Sequence, residues 1–423
     1  MSDVMGSAQQ PASLPATAYI TLWFPKPSET FIYREAQVMR RLGMPLTVHT
    51  LYGRLDSHLT TEMARDEIPV ERLGCRLALR GTRDLSYWLR RRPDVFKPMF
   101  STLFFRRWRN LEQTGENYWG LYCGCYLARR FEEAGVRHIH ACWANGPATA
   151  AWMASALTGI PFSFSGRAGD IYPPDGALEE KIAHAAFARV DAAFNIEYLR
   201  CFAGGADDKI KLVRNSLSWE SFEDAPAPMR PPYHIVALCR FVRTKGLDIL
   251  LHACKALADE GIDFKLTLAG CGPQGVPLKT LAVTLGLKDR VHFPGFIPHD
   301  RVPEILREAD VFVMPSRVKA NGDRDGLPTV IMEALLHRVP VVATDVGGIR
   351  EVVRNGETGL LIPEQNVWIM KQAIKEVLSN RDNALAMAER GRQLVLDYYD
   401  SEKNARRMIE LISAHAAPAA GQA

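Results

Sequence analysis

Hydrophobic positions along this chain fall into short continuous runs of strand length, separated by longer stretches of helical period. In the first half the runs cover 19–24, 46–51, 138–143, 161–166, 192–196 and 210–215. In the second half they cover 234–239, 264–270, 290–295, 311–316, 339–344 and 359–363. Runs without polar alternation predict strands buried on both faces, and helices between them predict the crossovers of parallel sheets. The fold class expected is therefore α/β, with two doubly wound, Rossmann-like domains. Residues 1–17 read as a tail, 18–217 as the first domain and 218–233 ("SWESFEDAPAPMRPPY") as a proline-rich linker. Residues 234–395 read as the second domain, and 396–423 as an amphipathic helix and tail crossing back to the first. Residues about 53–130 break the alternation and read as a helical insertion.

A length of 423 residues supports the division, since one core rarely grows that large. With 47% hydrophobic and 24% charged residues the composition is globular. No window approaches the ~20 apolar residues of a spanning helix. The start lacks the basic and apolar regions of a signal peptide, so a cytoplasmic location is expected. The eight cysteines show no zinc or redox spacing, and Cys123 and Cys125 form only a C-x-C pair. Free thiols and no metal are expected.

Charge changes this picture in one place. Between Arg72 and Arg109 eleven Lys and Arg face two Asp, a local +9 in a chain of net +4. Aromatic residues are interleaved there, in "YWLRRRPDVFKPMFSTLFFRRWRN". Such a segment suits an anionic membrane surface, peripheral on the inner leaflet, or else is a solvated basic helix pair over buried rings. Nucleic acid is not expected as a partner.

In doubly wound domains ligands sit beyond the carboxyl ends of the strands, so the residues that follow each run carry the chemistry. Arg240 and Lys245 lie in the loop after 234–239, before a helix beginning near Gly246. Two cations at a helix start suit an anion. Gly270, in "AGCGPQG", follows the next run. After 311–316 comes "DRDGLPTVIMEALL". There Asp325 sits in the loop, Gly326 allows close approach, Pro328 suits a first helical position, and Thr329 and Val330 offer free amides. Glu333 lies further along the helix. Two cations and free amides describe a diphosphate seat, and flanking carboxylates describe hydroxyl acceptors. A diphosphate with polyols at both ends is a nucleotide sugar. In the first half Ser28 is placed to cap a helix, with Glu29 and Thr30 at its start in the cleft.

The motifs "LCRFVRTKGLDILLHA", "LTLAGCGP", "RVHFPGFIP", "ADVFVMPS", "DGLPTVIMEAL" and "VPVVATDVGGIREVVRNGETGLLIP" run in one order through the second half. Here the chain resembles glycosyltransferase family 4, of the GT-B fold. "FPKPSETFIYREAQVMRRLG" and "HIHACWANGPATAAWMASALTGIPFSFSGRAGDIY" are similar to its colanic-acid and exopolysaccharide branch. The resemblance implies a retaining, metal-independent hexosyltransferase without a cofactor, taking a UDP- or GDP-linked sugar to a saccharide or polyprenyl-diphosphate-linked acceptor. The alternatives are a transferase with a soluble small-molecule acceptor and a non-catalytic GT-B protein that binds a sugar nucleotide. It implies that Arg240 and Lys245 neutralise the donor diphosphate, with the Leu327–Thr329 backbone alongside. It places Glu333 on the ribose, Asp325 at the transferred sugar, and Phe296 and Ile297 near the base. Asp325 replaces the family's usual Glu. Arg167 stands where relatives carry a His near the reacting sugar, and a guanidinium cannot serve as a base. Arg167 stays a candidate catalytic residue that stabilises the leaving phosphate or the sugar, and Asp170, in "SGRAGD", is expected on the acceptor side with Ser28, Glu29 and Thr30.

Overall fold

The structure is a computed structural model that describes residues 14–27, 29–54, 59, 61–65, 68–74, 77–105, 111–172, 176–215, 217 and 229–418. Among the described residues thirteen strands form two sheets. The first holds β1 (Thr17–Thr21), β2 (Leu46–Thr50), β3 (Val70–Arg72), β4 (His138–Ala141), β5 (Phe162–Gly166), β6 (Phe187–Val190) and β7 (Ile210–Leu212). Its order is β3-β2-β1-β4-β5-β6-β7. The second holds β8 (Tyr233–Leu238), β9 (Phe264–Ala269), β10 (Val291–Gly295), β11 (Val311–Met314), β12 (Val341–Thr344) and β13 (Leu360–Ile362), in the order β10-β9-β8-β11-β12-β13. Every recorded pairing is parallel. β1, β4, β5, β6, β11 and β12 are buried along their whole length, as strands of a sheet covered on both faces are. Both domains are the doubly wound units expected from the pattern.

The pattern misplaces two elements. Residues 192–196 are not a strand: β6 lies at Phe187–Val190 and a helix begins at Phe194. The true strand is disguised by Arg189, which is wholly buried in it. Its Nη1 lies 2.5 Å from Glu35 Oε2, and its Nε and Nη2 donate to the carbonyls of Val213 and Arg214 at 2.8 and 3.2 Å. A polar letter inside a core strand is tolerated only when its charge and donors are matched in this way. The second difference is β3, which lies inside the stretch read as a helical insertion and extends the first sheet.

The other elements among the described residues of that stretch are helices, at Thr61–Ala64, Leu77–Arg91, Pro93–Phe105 and Leu111–Glu133. The long last helix packs on Gly146–Thr158 so closely that a Cβ at Gly120 would stand 2.5 Å from the Gly146 carbonyl. Trp88, Phe96 and Met99 are buried, and the Trp88 indole donates to the Cys125 carbonyl at 3.0 Å. Tyr87 is half-buried, with Arg91 and Arg129 over its face. Residues 106–110 lie outside the described residues. Among the described residues no helix is long and apolar enough to cross a membrane.

The C-terminal helix Ser401–His415 crosses back as expected. Ala405, Met408, Leu411 and Ile412 pack with Tyr19, Ile32, Met39 and Val48 in a first-domain core. Asp400 caps this helix by accepting from the Lys403 amide at 2.6 Å.

Replacing Glu35 with alanine strands the Arg189 guanidinium in the core. The expected cost is about 3–5 kcal/mol, read as a lowered urea midpoint; a loss below about 1 kcal/mol would count against the pair as a structural tie.

Candidate active site

Each sheet reverses its winding once, between β1 and β4 and between β8 and β11, and the loops leaving those four strands face one another. In the second domain, Arg243–Lys245 makes one tight turn after β8, closed by Gly246 at φ 58°. A Cβ at Gly246 would stand 2.0 Å from the Pro315 carbonyl, so a glycine lets this turn lie against the end of β11. The turn aims the largely buried Lys245 at the loop after β11, with its Nζ 3.0 Å from Asp325 Oδ1. Ser316 Oγ donates to the other Asp325 oxygen. Arg240 is exposed in the same loop, and Arg243 turns to solvent.

The loop bearing Asp325 is held from below. Gly348 N donates to the Gly326 carbonyl at 3.0 Å, and Gly347 has φ 58° with the Asp325 carbonyl where its Cβ would be. Pro328 is the cap rather than the first residue of the helix, which runs Thr329–Leu336. The amides of Thr329 and Val330 open that helix and have no carbonyl within it to reach. Leu327 is buried beneath them. Gly270 follows β9, where its N–H donates to the Gly295 carbonyl at 2.7 Å. Phe296 and Ile297 lie in the half-buried loop after β10.

Glu333 is buried one turn into the helix, and its Oε1 lies 3.1 Å from His299 Nε2. The Nδ1 of the same ring lies 3.2 Å from Arg34 Nη2, on the first-domain helix Thr30–Arg41. This geometry assigns the tautomer: Nε2–H donates to the carboxylate and Nδ1 accepts from Arg34. Burial pushes the Glu333 carboxyl up, but the hydrogen bond from His299 and the nearby Arg34 charge outweigh it and hold it below the usual range. Neither Arg34 nor His299 was anticipated. They stand 265 positions apart, and no local pattern joins them.

Across the cleft, Arg167 follows β5. Its guanidinium lies 4.8 Å from the Phe31 ring and 5.1 Å from the Trp143 ring, and Nη1 donates to the Cys142 carbonyl. A Cβ at Gly326 would stand 3.2 Å from the Ala168 Cβ, so the residue after Arg167 lies close to the Asp325 loop. Glu29 precedes the helix and makes no side-chain cap bond; Thr30 opens it. Ser28 lies outside the described residues. Asp170 is buried and turned inward, accepting from the amides of Arg167 and Ala144 at 2.7 and 2.6 Å. Burial lifts its carboxyl to about 6 against those two donors and the Arg167 charge. It shapes the turn bearing Arg167. Two further contacts link the domains: Arg324 over the Tyr172 ring at 5.1 Å, and Phe194 N donating to Glu351 Oε1 at 3.0 Å. Among the described residues no group of three or more His, Cys, Asp or Glu is arranged to hold a metal.

Two facing doubly wound domains with this seat between them define the GT-B architecture. Residues 219–394 match the family described as "Glycosyl transferases group 1", so the chain carries a domain of that class. Its curated relatives include the putative colanic acid biosynthesis glycosyltransferase WcaL of Escherichia coli K12, 32% identical over 49% of this chain and 52% of that protein. Another is the GDP-mannose-dependent phosphatidylinositol monomannoside mannosyltransferase of Mycolicibacterium smegmatis, 36% identical over 45% and 52%. The chain spans about half the length of the curated relatives it matches. Among solved structures, the sucrose-phosphate synthase of Thermosynechococcus elongatus superposes with TM-score 0.72 at 18% identity, covering 93% of this chain and 97% of that one. The Anabaena protein HepE, in complex with UDP and glucose, gives 0.70 at 16%, covering 95% and 100%.

Replacing His299 with alanine removes the contact that offsets Glu333 burial, so the carboxyl pKa should rise. Nucleoside diphosphate affinity in the variant should then fall between pH 7 and 5 by at least fivefold more than in the parent. Parallel pH profiles by calorimetry would detach Glu333 from the nucleotide.

Proposed function

We propose that the protein is a retaining glycosyltransferase that moves a hexose from a nucleotide diphosphate sugar to a growing polysaccharide or lipid-linked oligosaccharide. The observation that carries this reading is the Lys245–Asp325 pair, set beside the free amides of Thr329–Leu336 at the β8/β11 winding reversal. In the structure the cation and carboxylate neutralise each other. A diphosphate entering between Arg240, Lys245 and the Thr329 and Val330 amides takes Lys245 away from Asp325. The freed carboxylate, still oriented by Ser316, then accepts a hydroxyl of the transferred sugar. Glu333, a turn deeper, accepts from the ribose in place of His299. The relatives support the substrate classes: the printed name of one specifies GDP-mannose and a phosphatidylinositol glycolipid, and a solved neighbour holds UDP and glucose.

The bond from the anomeric carbon to phosphate breaks as negative charge gathers on the leaving diphosphate. Fixed cations and amides stabilise that charge more in the transition state than in the ground state. In this reading the acceptor attacks on the face the diphosphate leaves, and a leaving phosphate oxygen takes its proton. No protein base is required, which accommodates Arg167. The donor seat uses cations and amides in place of a metal or cofactor.

A second reading, a transferase with a soluble acceptor, draws on the basic segment. Trp88 and Phe96 are buried, so they hold the insertion together and leave Arg80, Arg83, Arg90 and Arg91 as the exposed feature. Sedimentation with liposomes containing anionic lipid at low salt separates the two. Binding that fades as salt rises is expected for a peripheral protein on the inner leaflet, and absence of binding favours the soluble acceptor.

Lys245→Ala should lower kcat about 100-fold, the ~3 kcal/mol typical of one fixed charge-stabilising donor. Released nucleoside diphosphate, measured with a panel of UDP- and GDP-sugars, gives the rate and names the donor. Unchanged turnover would remove Lys245 from the seat.

A further inference from the structure

The contact that engages Glu333 begins in the other domain. Arg34 is 9% exposed on the helix Thr30–Arg41, and its Nη2 lies 3.2 and 3.5 Å from the two ring nitrogens of His299. The ring in turn holds Glu333 Oε1 through Nε2 at 3.1 Å. His299 keeps 24% of its side chain exposed against 8% for Glu333, so the ring is the outer member of the pair and the carboxylate the inner one.

The two ends of this chain are anchored differently. On the first-domain helix the next residue, Glu35, is fixed by Arg189 at 2.5 Å, and Ile32 and Met39 pack with the C-terminal helix, so Arg34 has a rigid base. His299 instead stands on a loop, where Phe296, Ile297 and Pro298 join β10 to the single turn His299–Arg301. The loop leaves β10 at Gly295, which has φ 83° and open space where a Cβ would stand. The ring is therefore free to swing while the arginine stays.

A neutral imidazole between a buried guanidinium and a buried carboxylate serves both at once. Swinging it away takes the acceptor from Arg34 and breaks a tie between the domains. A hydroxyl that replaces the ring at Glu333 gains only the difference, and a binding-competent state that is partly populated lowers apparent affinity by that fraction. We propose that Arg34 and His299 are positioning residues that keep Glu333 closed, a latch between the domains that the ribose of a nucleoside diphosphate must open. This rests on the transferase reading and adds what limits nucleotide affinity and how nucleotide entry loosens the domain contact.

The test measures UDP and GDP binding by calorimetry at pH 8, which keeps carboxylates ionised. Arg34→Leu, Arg34→Ala, His299→Ala and the double variant Arg34→Leu/His299→Ala are compared with the parent. Each single variant should bind the preferred nucleotide about fivefold more tightly or better. The double variant should bind no more tightly than His299→Ala, because Arg34 acts through the ring. The 2′,3′-dideoxy form of the same nucleotide should bind the parent more weakly than the ribonucleotide, with a Kd that the variants move less than twofold. Variants that bind no tighter, an Arg34 variant that binds more weakly, additive gains in the double variant, or equal tightening of the dideoxy form overturns the latch alone. A parent that binds both forms equally removes Glu333 from the ribose and the latch with it. A parent that binds neither UDP nor GDP overturns the transferase reading and the latch together.

Discussion

In a parallel sheet every strand ends on the same side, and every following helix starts there. This constraint places all the chemistry of the protein. Where the winding reverses, two neighbouring loops part and leave a crevice, as after β8 and β11 and again after β1 and β4. The first crevice presents Lys245, Asp325 and the opening amides of Thr329–Leu336; the second presents Glu29, Trp143 and Asn145. Arg167, after the neighbouring β5, completes that side. One wall thus carries cations, a carboxylate and helix-opening amides, and the other carries buried polar side chains.

Close backbone approach keeps these loops in place. Gly246 rests on Pro315, and Gly347 rests on the Asp325 carbonyl, at distances no Cβ could tolerate. The loop that carries the candidate sugar-facing acid is thus supported by a turn from a different strand connection. Across the cleft the domains are joined by polar contacts: Arg34 to His299 to Glu333, Arg214 to Glu351, and Phe194 to Glu351. Polar interfaces of this kind suit domains that must part and close around a substrate. Anything that displaces His299 from Glu333 also breaks the Arg34 chain, so that carboxylate is tied to the contact between the domains.

Much of the second domain was legible because its strands are continuous apolar runs and its loop chemistry lies in short consecutive stretches. Arg240, Lys245, Asp325 and Glu333 could each be assigned to a loop or helix start from local order alone. The first domain was harder to read. β6 hides behind Arg189, whose burial is possible only because Glu35, 154 positions away, meets it. The Trp88 and Phe96 rings look like interface anchors beside so many arginines, yet they fill the interior of the insertion. Asp170 looks like a cleft acid, but its carboxylate is occupied by two backbone amides.

By itself the sequence determined the class of fold, the division into two doubly wound halves, the return of the last helix, and which loops carry charge. These follow from hydrophobic period and from residue types adjacent in the chain. Only the tertiary structure decided which charges meet. It paired Lys245 with Asp325, set His299 and Arg34 on Glu333, and laid Arg167 against Phe31 and Trp143. Such pairings join residues tens to hundreds of positions apart, where periodicity carries no information and only packing brings the partners together.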